Sequence, residues 1–102
     1  MTANLVESDA ARLAVAQLEA LSVAPAEYGF LTCVLHDSGM PSLRVVNRDS
    51  PGSRENITVG PAENGVRWFC WSWGDRIALV GDVATAAFKI AYVLTPQAGV
   101  AG

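Results

Sequence analysis

The sequence is poor in charged residues, which make up 17 % of its 102 residues, whereas about 25 % is typical of soluble domains. It has a single lysine among seven basic residues, and its formal net charge is −3. The basic residues are spread along the chain without forming a cluster. Because proteins that bind nucleic acids neutralise phosphates with a basic patch or stripe, this composition argues against direct nucleic-acid binding.

Long apolar runs are also lacking. No stretch approaches the roughly 20 residues that a membrane-spanning helix needs. The N-terminus begins with polar residues and not with the basic and apolar segments of a secretory signal. We therefore expect no membrane association and a cytoplasmic location.

Cysteine and histidine are scarce, with two cysteines and one histidine in the whole chain. These are too few for a structural zinc site without unusual carboxylate ligands. Cys33 and Cys70 lie between apolar residues in predicted strands, which indicates buried free thiols. The consecutive residues His36-Asp37-Ser38 cannot adopt the geometry of a catalytic triad, and a turn is the better interpretation. We expect no catalytic residue, no metal and no cofactor.

Two helices are predicted, one near each end of the chain. The first spans residues 8–21, where apolar residues recur at three-to-four spacing, and Pro25 is expected to end this segment. The second begins after Asp82, which we expect to cap it, and extends to Leu94. Its apolar stripe consists of Val83, Ala86, Ala87, Ile90, Ala91 and Leu94.

Four strands are predicted between the helices, and Asn64-Gly65 supplies a tight turn before the last of them. The order favours an α+β two-layer sandwich, a four-stranded antiparallel meander flanked by N- and C-terminal helices. The chain is expected to be one domain, residues 1–102, with a flexible tail at 97–102. The predicted strands span residues 28–36, which should be well buried, 43–48, 56–59 and 66–73.

The last predicted strand is unusually rich in aromatic residues. In an extended strand Trp68 and Cys70 point to one side, and Arg67, Phe69, Trp71 and Trp73 point to the other. Three interpretations remain open for the large side chains on the second side. They pack within the monomer or under the loop at residues 47–55, they form an interface with a partner or a second copy, or they line a small-molecule pocket.

We take an interaction surface formed by Phe69, Trp71, Trp73 and Arg67 as the first hypothesis. The low surface charge supports it, because large apolar patches are rare on monomers and are usually covered by a partner. The alternative is a small-molecule site, or a small enzyme, in which Arg48 and Arg54 flank a pocket beside Trp71 and Trp73.

The segment Trp-Ser-Trp-Gly-Asp-Arg-Ile from Trp71 to Ile77, followed by Gly81-Asp82-Val83 and the Ala-rich helix to Leu94, resembles the C-terminal part of short actinobacterial proteins that have no assigned activity. This resemblance implies an accessory role beside helix-turn-helix regulators. A looser similarity to type III secretion chaperone-like and YbjN-like domains implies a sheet flanked by terminal helices and a homodimer. Together these features predict a non-enzymatic, self-associating interaction module.

Overall fold

The computed structural model describes residues 2–36 and 40–95, and for residues 2–10 it describes the backbone only. A long N-terminal helix is followed by five strands and a C-terminal helix. The predicted turn at residues 37–39 and the predicted tail at 97–102 lie outside the described residues. The elements are α1 (Thr2–Glu27), β1 (Phe30–Leu35), β2 (Ser42–Asn47), β3 (Arg54–Val59), β4 (Trp68–Trp71), β5 (Arg76–Leu79) and α2 (Val83–Leu94).

The five strands form one antiparallel meander in the order β1-β2-β3-β4-β5. Both helices pack on the same face of this sheet, with α1 over β1 to β3 and α2 against β5 and α1. The predicted α+β class is therefore confirmed, whereas the sheet has five strands and not four. The Asn64-Gly65 turn is confirmed as well, since both residues have positive φ, at 53° and 77°, and Glu63 and Val66 exchange two backbone hydrogen bonds across it.

The strand missing from the prediction is β5. It is only four residues long, and its register with β4 shifts between Phe69 and Cys70. A short strand with a bulge has too little alternation for its pattern to stand out in the sequence. The register shift leaves the adjacent residues Ile77 and Ala78 both buried.

Helix α1 does not end where the prediction placed its end. It continues through Pro25 to Glu27, and Pro25 is fully buried. Proline costs a helix one hydrogen bond and some steric strain, but here it lies in the last turn, where burial of its ring offsets part of that cost. The chain then leaves the helix at Gly29, whose φ of 92° is a conformation that glycine adopts readily.

Helix α2 agrees with the prediction at both ends. The Asp82 side chain accepts a hydrogen bond from the backbone N–H of Thr85 at 3.2 Å, as an N-cap should. The predicted stripe faces the sheet and α1, with its residues buried or partly buried. None of the described helices is both long and apolar enough to cross a membrane.

The first strand is not well buried. β1 is an edge strand, and while Phe30 is buried against the helices, Leu31 is 54 % exposed on the opposite face. Cys33 lies on that same face and is exposed, and Cys70 is half-buried. The expectation that both thiols are buried is therefore wrong. The sheet has helices on one face only, so an apolar residue on its other face has nothing in the described chain to cover it.

Asn47, 8 % exposed, is the one polar residue that is buried as a whole among the described side chains. Its amide nitrogen donates a hydrogen bond to the Leu94 carbonyl at 2.9 Å, and its Oδ1 accepts one from the backbone N–H of Asp49 at 2.9 Å. Asn47 thereby joins the C-terminal end of α2 to the turn between β2 and β3. Both functions of its side-chain amide are satisfied, as a buried polar group requires.

Candidate functional site

The aromatic strand alternates as expected, but the side proposed as the outer one is largely the inner one. Phe69 is completely buried and Trp71 is 8 % exposed, and both belong to the core beneath the helices. Arg67 is half-buried just before β4, and Trp73 is 54 % exposed after it. The assignment of Phe69 to an exposed interaction surface is therefore wrong. Of the four residues, Trp73 is the one that is mostly exposed, and its ring stacks on that of the buried Trp71.

A tight turn brings these two indoles together. The backbone N–H of Trp71 donates to the Asp75 carbonyl at 2.8 Å, and that of Gly74 donates to the Trp71 carbonyl at 2.9 Å. Gly74 has a φ of 102°, which residues other than glycine rarely adopt. This turn stacks the ring of Trp73 on that of Trp71, with 5.1 Å between centroids and 6° between planes.

Helix α2 adds more exposed apolar surface beside the turn. Phe88 and Tyr92 are four residues apart and hence on one side of the helix, and they are 63 % and 67 % exposed. Val93, also on α2, is 51 % exposed. These three residues, together with Lys89 and Trp71, line an open groove of about 320 Å³. We define the aromatic patch as Trp71, Trp73, Phe88, Tyr92 and Val93.

The polar atoms around the aromatic patch are largely used within the protein. The indole N–H of Trp73 donates to Asp75 Oδ2 at 2.9 Å, and the ammonium of Lys89 donates to the Ile77 carbonyl at 2.8 Å. The patch therefore has an apolar surface with one cation and one carboxylate at its rim. Such a surface can bury apolar side chains, but it has few free groups with which to orient a small polar molecule.

The third tryptophan lies on the other face of the sheet. Trp68 is half-buried there, and the guanidinium carbon of Arg76 lies 4.9 Å from its ring centroid. Arg76 also forms an ion pair with Glu63, whose side chain is largely exposed. Because this cation–π contact and this ion pair are both near solvent, each contributes little to stability. They cover one side of the Trp68 ring and do not form a pocket.

The two arginines of the proposed ligand site do not line the groove that Trp71 lines. Arg48 lines an open cleft of about 630 Å³ together with Tyr28, Asp49 and Thr95, whereas Trp71 lines the separate groove on α2. Arg54 is exposed at the start of β3, opposite Val46. Neither cavity is lined by both an arginine of this pair and a tryptophan, so the two cavities give no support to a composite pocket of Arg48, Arg54, Trp71 and Trp73.

The described residues contain no group of three or more His, Cys, Asp or Glu side chains that could hold a metal ion. Asp75, at the rim of the aromatic patch, is exposed and already bonded to Trp73.

The contribution of α2 to the aromatic patch was missed in the sequence. A signal was present, because Phe88 and Tyr92 are spaced like neighbours on a helix and lie outside the stripe of small and aliphatic residues that packs inward. Two large aromatic residues on the solvent side of a short helix are unusual enough to indicate an exposed apolar surface.

Comparisons with protein families, with curated proteins and with solved structures find no match to this chain. The similarities suggested by the sequence therefore remain expectations, and a functional proposal has to be built on the geometry of the aromatic patch.

Proposed function

We propose that this chain is a non-enzymatic interaction module that binds an apolar segment of a partner protein on its aromatic patch. The observation that carries the proposal is one groove lined by Phe88, Tyr92 and Val93, each more than half exposed, and by Trp71. Trp73, which is 54 % exposed, extends this apolar surface by stacking on Trp71. A chain that acts by binding another protein has an accessory role. We also propose that the chain forms the homodimer expected from the sequence.

The patch has the physical features of a protein-binding surface. Scattered exposed apolar residues are normal on any protein, but a contiguous group of them costs solubility and is usually covered by a partner. Tryptophan, tyrosine and phenylalanine are enriched at interfaces because each buries a large area with few rotatable bonds. Trp71 serves as a fixed floor, since its own ring is held in the core.

The charge at the rim of the groove indicates which residues the partner segment should carry. Lys89 is the one charged residue that lines it. We therefore expect a partner segment with two or more apolar anchors, spaced to follow the groove, and with an acidic residue that approaches Lys89. An amphipathic helix satisfies this description, because its anchors recur at three-to-four spacing.

A small-molecule site is the competing function. The cleft beside Arg48, at about 630 Å³, is large enough for a small molecule. However, the side-chain amide of Asn47 in its wall is already bonded to Leu94 and Asp49. The free charges at this cleft are on exposed side chains, Arg48 and Asp49. Ligand sites bury most of their ligand and present several convergent free polar groups, which this open cleft does not.

The proposal is tested by selecting peptides from a random library against the intact chain and measuring their affinity by the change in tryptophan fluorescence. We expect enriched peptides with paired apolar anchors. Phe88→Ala and Tyr92→Ala should each raise the dissociation constant at least about tenfold, or about 1.4 kcal/mol, as truncation of an interface anchor does.

Leu79→Ala is the matched control, because Leu79 is 41 % exposed but pairs with Trp68 on the other face of the sheet. This variant should bind the peptides like the unchanged protein. Peptides that bind Phe88→Ala equally well would refute the role of the patch. A metabolite that raises the melting temperature of the protein but not that of Arg48→Ala would support the ligand-binding alternative instead.

A further inference from the structure

The sheet has two edges, and within residues 2–36 and 40–95 only one of them is protected. β1 and β5 each have a single neighbouring strand, so each leaves backbone groups without a partner strand. An exposed edge can pair with another chain unless short length, bulges, charged side chains or proline prevent it. Lys89 donates to the Ile77 carbonyl of β5 at 2.8 Å, and β5 is four residues long with a register shift. β5 therefore carries three of these protective devices.

β1 carries none of them. Its six residues, Phe-Leu-Thr-Cys-Val-Leu, include no charge and no proline, and they pair with β2 at every position without a bulge. The strand is rich in residues that favour sheets. On the face away from the helices Leu31 is 54 % exposed and Cys33 is exposed.

The backbone groups at this edge can be identified from the neighbouring strand. Asn47 of β2 uses its N–H and its carbonyl on the β3 side, in bonds to Ser53 and Ser50. Because bonding alternates along an antiparallel strand, the residue opposite Asn47 directs its own N–H and carbonyl away from β2. That residue is Phe30, and the residues that share this orientation on β1 are Phe30, Thr32 and Val34.

These outward N–H and carbonyl groups form almost no hydrogen bonds within the described part of the chain. The one side chain that bonds to them is that of Cys33, whose Sγ lies 3.7 Å from the Val34 carbonyl, which is a weak contact. Three consecutive outward-facing residues thus present alternating donors and acceptors along the edge, which is the surface that a further antiparallel strand recognises.

The strand is complementary to a second copy of itself. In antiparallel pairing about a two-fold axis at Thr32, Thr32 lies opposite its own copy and Phe30 lies opposite Val34, so every outward donor meets an outward acceptor. Leu31 then lies opposite Cys33 on the other face. No charge meets a charge, and an aromatic residue pairs with a β-branched one, which is a favourable cross-strand contact.

The adjacent side of α1 is compatible with this pairing. Ala24 of α1 lines a small cavity with Ala84 and Ala87, so this side of α1 faces α2. The helical period of about 3.6 residues puts Val15 and Ser22 on the opposite side, above the free edge of β1. Ala11 and Ala26 share that side, so the four residues form a stripe of small or branched side chains, and the exposed Glu19 flanks it. Two such stripes can approach closely across the axis.

We infer that two copies of this chain pair through β1, antiparallel about a two-fold axis at Thr32, to form a continuous sheet of twice five strands with all helices on one face. The inference deepens the homodimer part of the proposed function and identifies its surface. It does not involve the aromatic patch, and the dimer carries two copies of that patch, each free for a partner.

The register is tested by disulfide trapping. Leu31→Cys places a thiol opposite Cys33 of the second copy, at a non-hydrogen-bonded position where Cα atoms are about 4.5 Å apart, within the range that a disulfide spans. Mild oxidation should convert most of this variant to a reducible dimer. Leu79→Cys on β5 is the matched control, and it should give only the low background of random collision. Background levels for Leu31→Cys would overturn the register.

The edge itself is tested by sedimentation of the full chain. We expect the unchanged protein to have twice its 10.7 kDa chain mass at the upper end of a series from about 1 μM to 1 mM. Thr32→Pro should be a monomer with an unchanged circular dichroism spectrum, because the N–H that proline removes is not used between β1 and β2. Thr32→Val, which keeps that N–H, should remain a dimer.

A second variant covers the case in which Thr32→Pro fails to fold. Leu31→Lys adds a protective charge at an exposed position and should also give a monomer. A monomeric unchanged protein over the whole series, or a dimer that survives both Thr32→Pro and Leu31→Lys, would overturn the inference. A dimer lost in Phe88→Ala and retained in Leu31→Lys would assign self-association to the aromatic patch instead. If Phe88→Ala loses peptide binding but remains a dimer, the result supports both proposals, because partner binding and self-association then use different surfaces.

Discussion

Replacing Trp71 by alanine should destabilise this protein far more than replacing Trp68 by alanine, although the two residues belong to the same strand. Trp71 faces the helices and is 8 % exposed, whereas Trp68 is half-buried on the open face of the sheet. Removing the Trp71 ring would leave a cavity between the sheet and α2 and would take away the surface on which Trp73 stacks.

The magnitudes follow from burial. Truncating a buried tryptophan costs about 3–5 kcal/mol, out of a total stability of about 5–15 kcal/mol for a domain of this size. At about 4–8 °C per kcal/mol, Trp71→Ala should lower the melting temperature by roughly 12–40 °C. For Trp68→Ala we expect a loss of stability of about 1–2 kcal/mol. The Trp68 ring is only half-buried, and its cation–π contact with Arg76 contributes about 0.5–1 kcal/mol.

The measurement is thermal and urea unfolding followed by far-ultraviolet circular dichroism, since a fluorescence signal would change with each tryptophan removed. Trp73→Ala serves as a control for the loss of stacking alone, and its effect should be the smallest of the three because Trp73 is 54 % exposed. If Trp68→Ala were as destabilising as Trp71→Ala, the assignment of the inner face of β4 would be incorrect.

Three further substitutions test single contacts by thermal unfolding. Asn47→Ala should cost about 2–3 kcal/mol, because it leaves the Leu94 carbonyl and the Asp49 N–H without their partner, and a loss below about 0.5 kcal/mol would contradict this. Gln17→Leu should stabilise the protein by about 1 kcal/mol, since the buried Oε1 of Gln17 has no hydrogen-bond partner within the described residues, and a lower melting temperature would argue against it. Asp82→Ala should cost about 1 kcal/mol through loss of the α2 cap, whereas Asp82→Ser should retain most of that stability.

Features that depend on neighbours in the chain were predictable from the sequence. The cap at Asp82 and the inward stripe of α2 follow from helical spacing, and the turn at Asn64-Gly65 follows from the ease with which these residues adopt positive φ. The separation of Trp68 from Trp71 follows from the two-residue period of a strand. These features together were sufficient to predict an α+β domain with a helix at each end.

Features that depend on contacts between distant parts of the chain were not predictable in the same way. Alternation puts Phe69 and Trp71 on one side of β4, but it does not say which side the helices cover. The short strand β5 becomes visible only through its pairing with β4, and β1 becomes an edge only through the order of the whole sheet.

The candidate site also depends on contacts between distant parts of the chain. Trp73 comes from a turn after β4, and Phe88 comes from the exposed side of α2, so neither element forms the aromatic patch alone. The sequence determined which side chains are large and apolar and how each element presents them, because these are local properties of residue type and backbone period. Only the tertiary structure decided which of those side chains the core buries and which it leaves on the surface, because burial depends on what the rest of the chain packs against them.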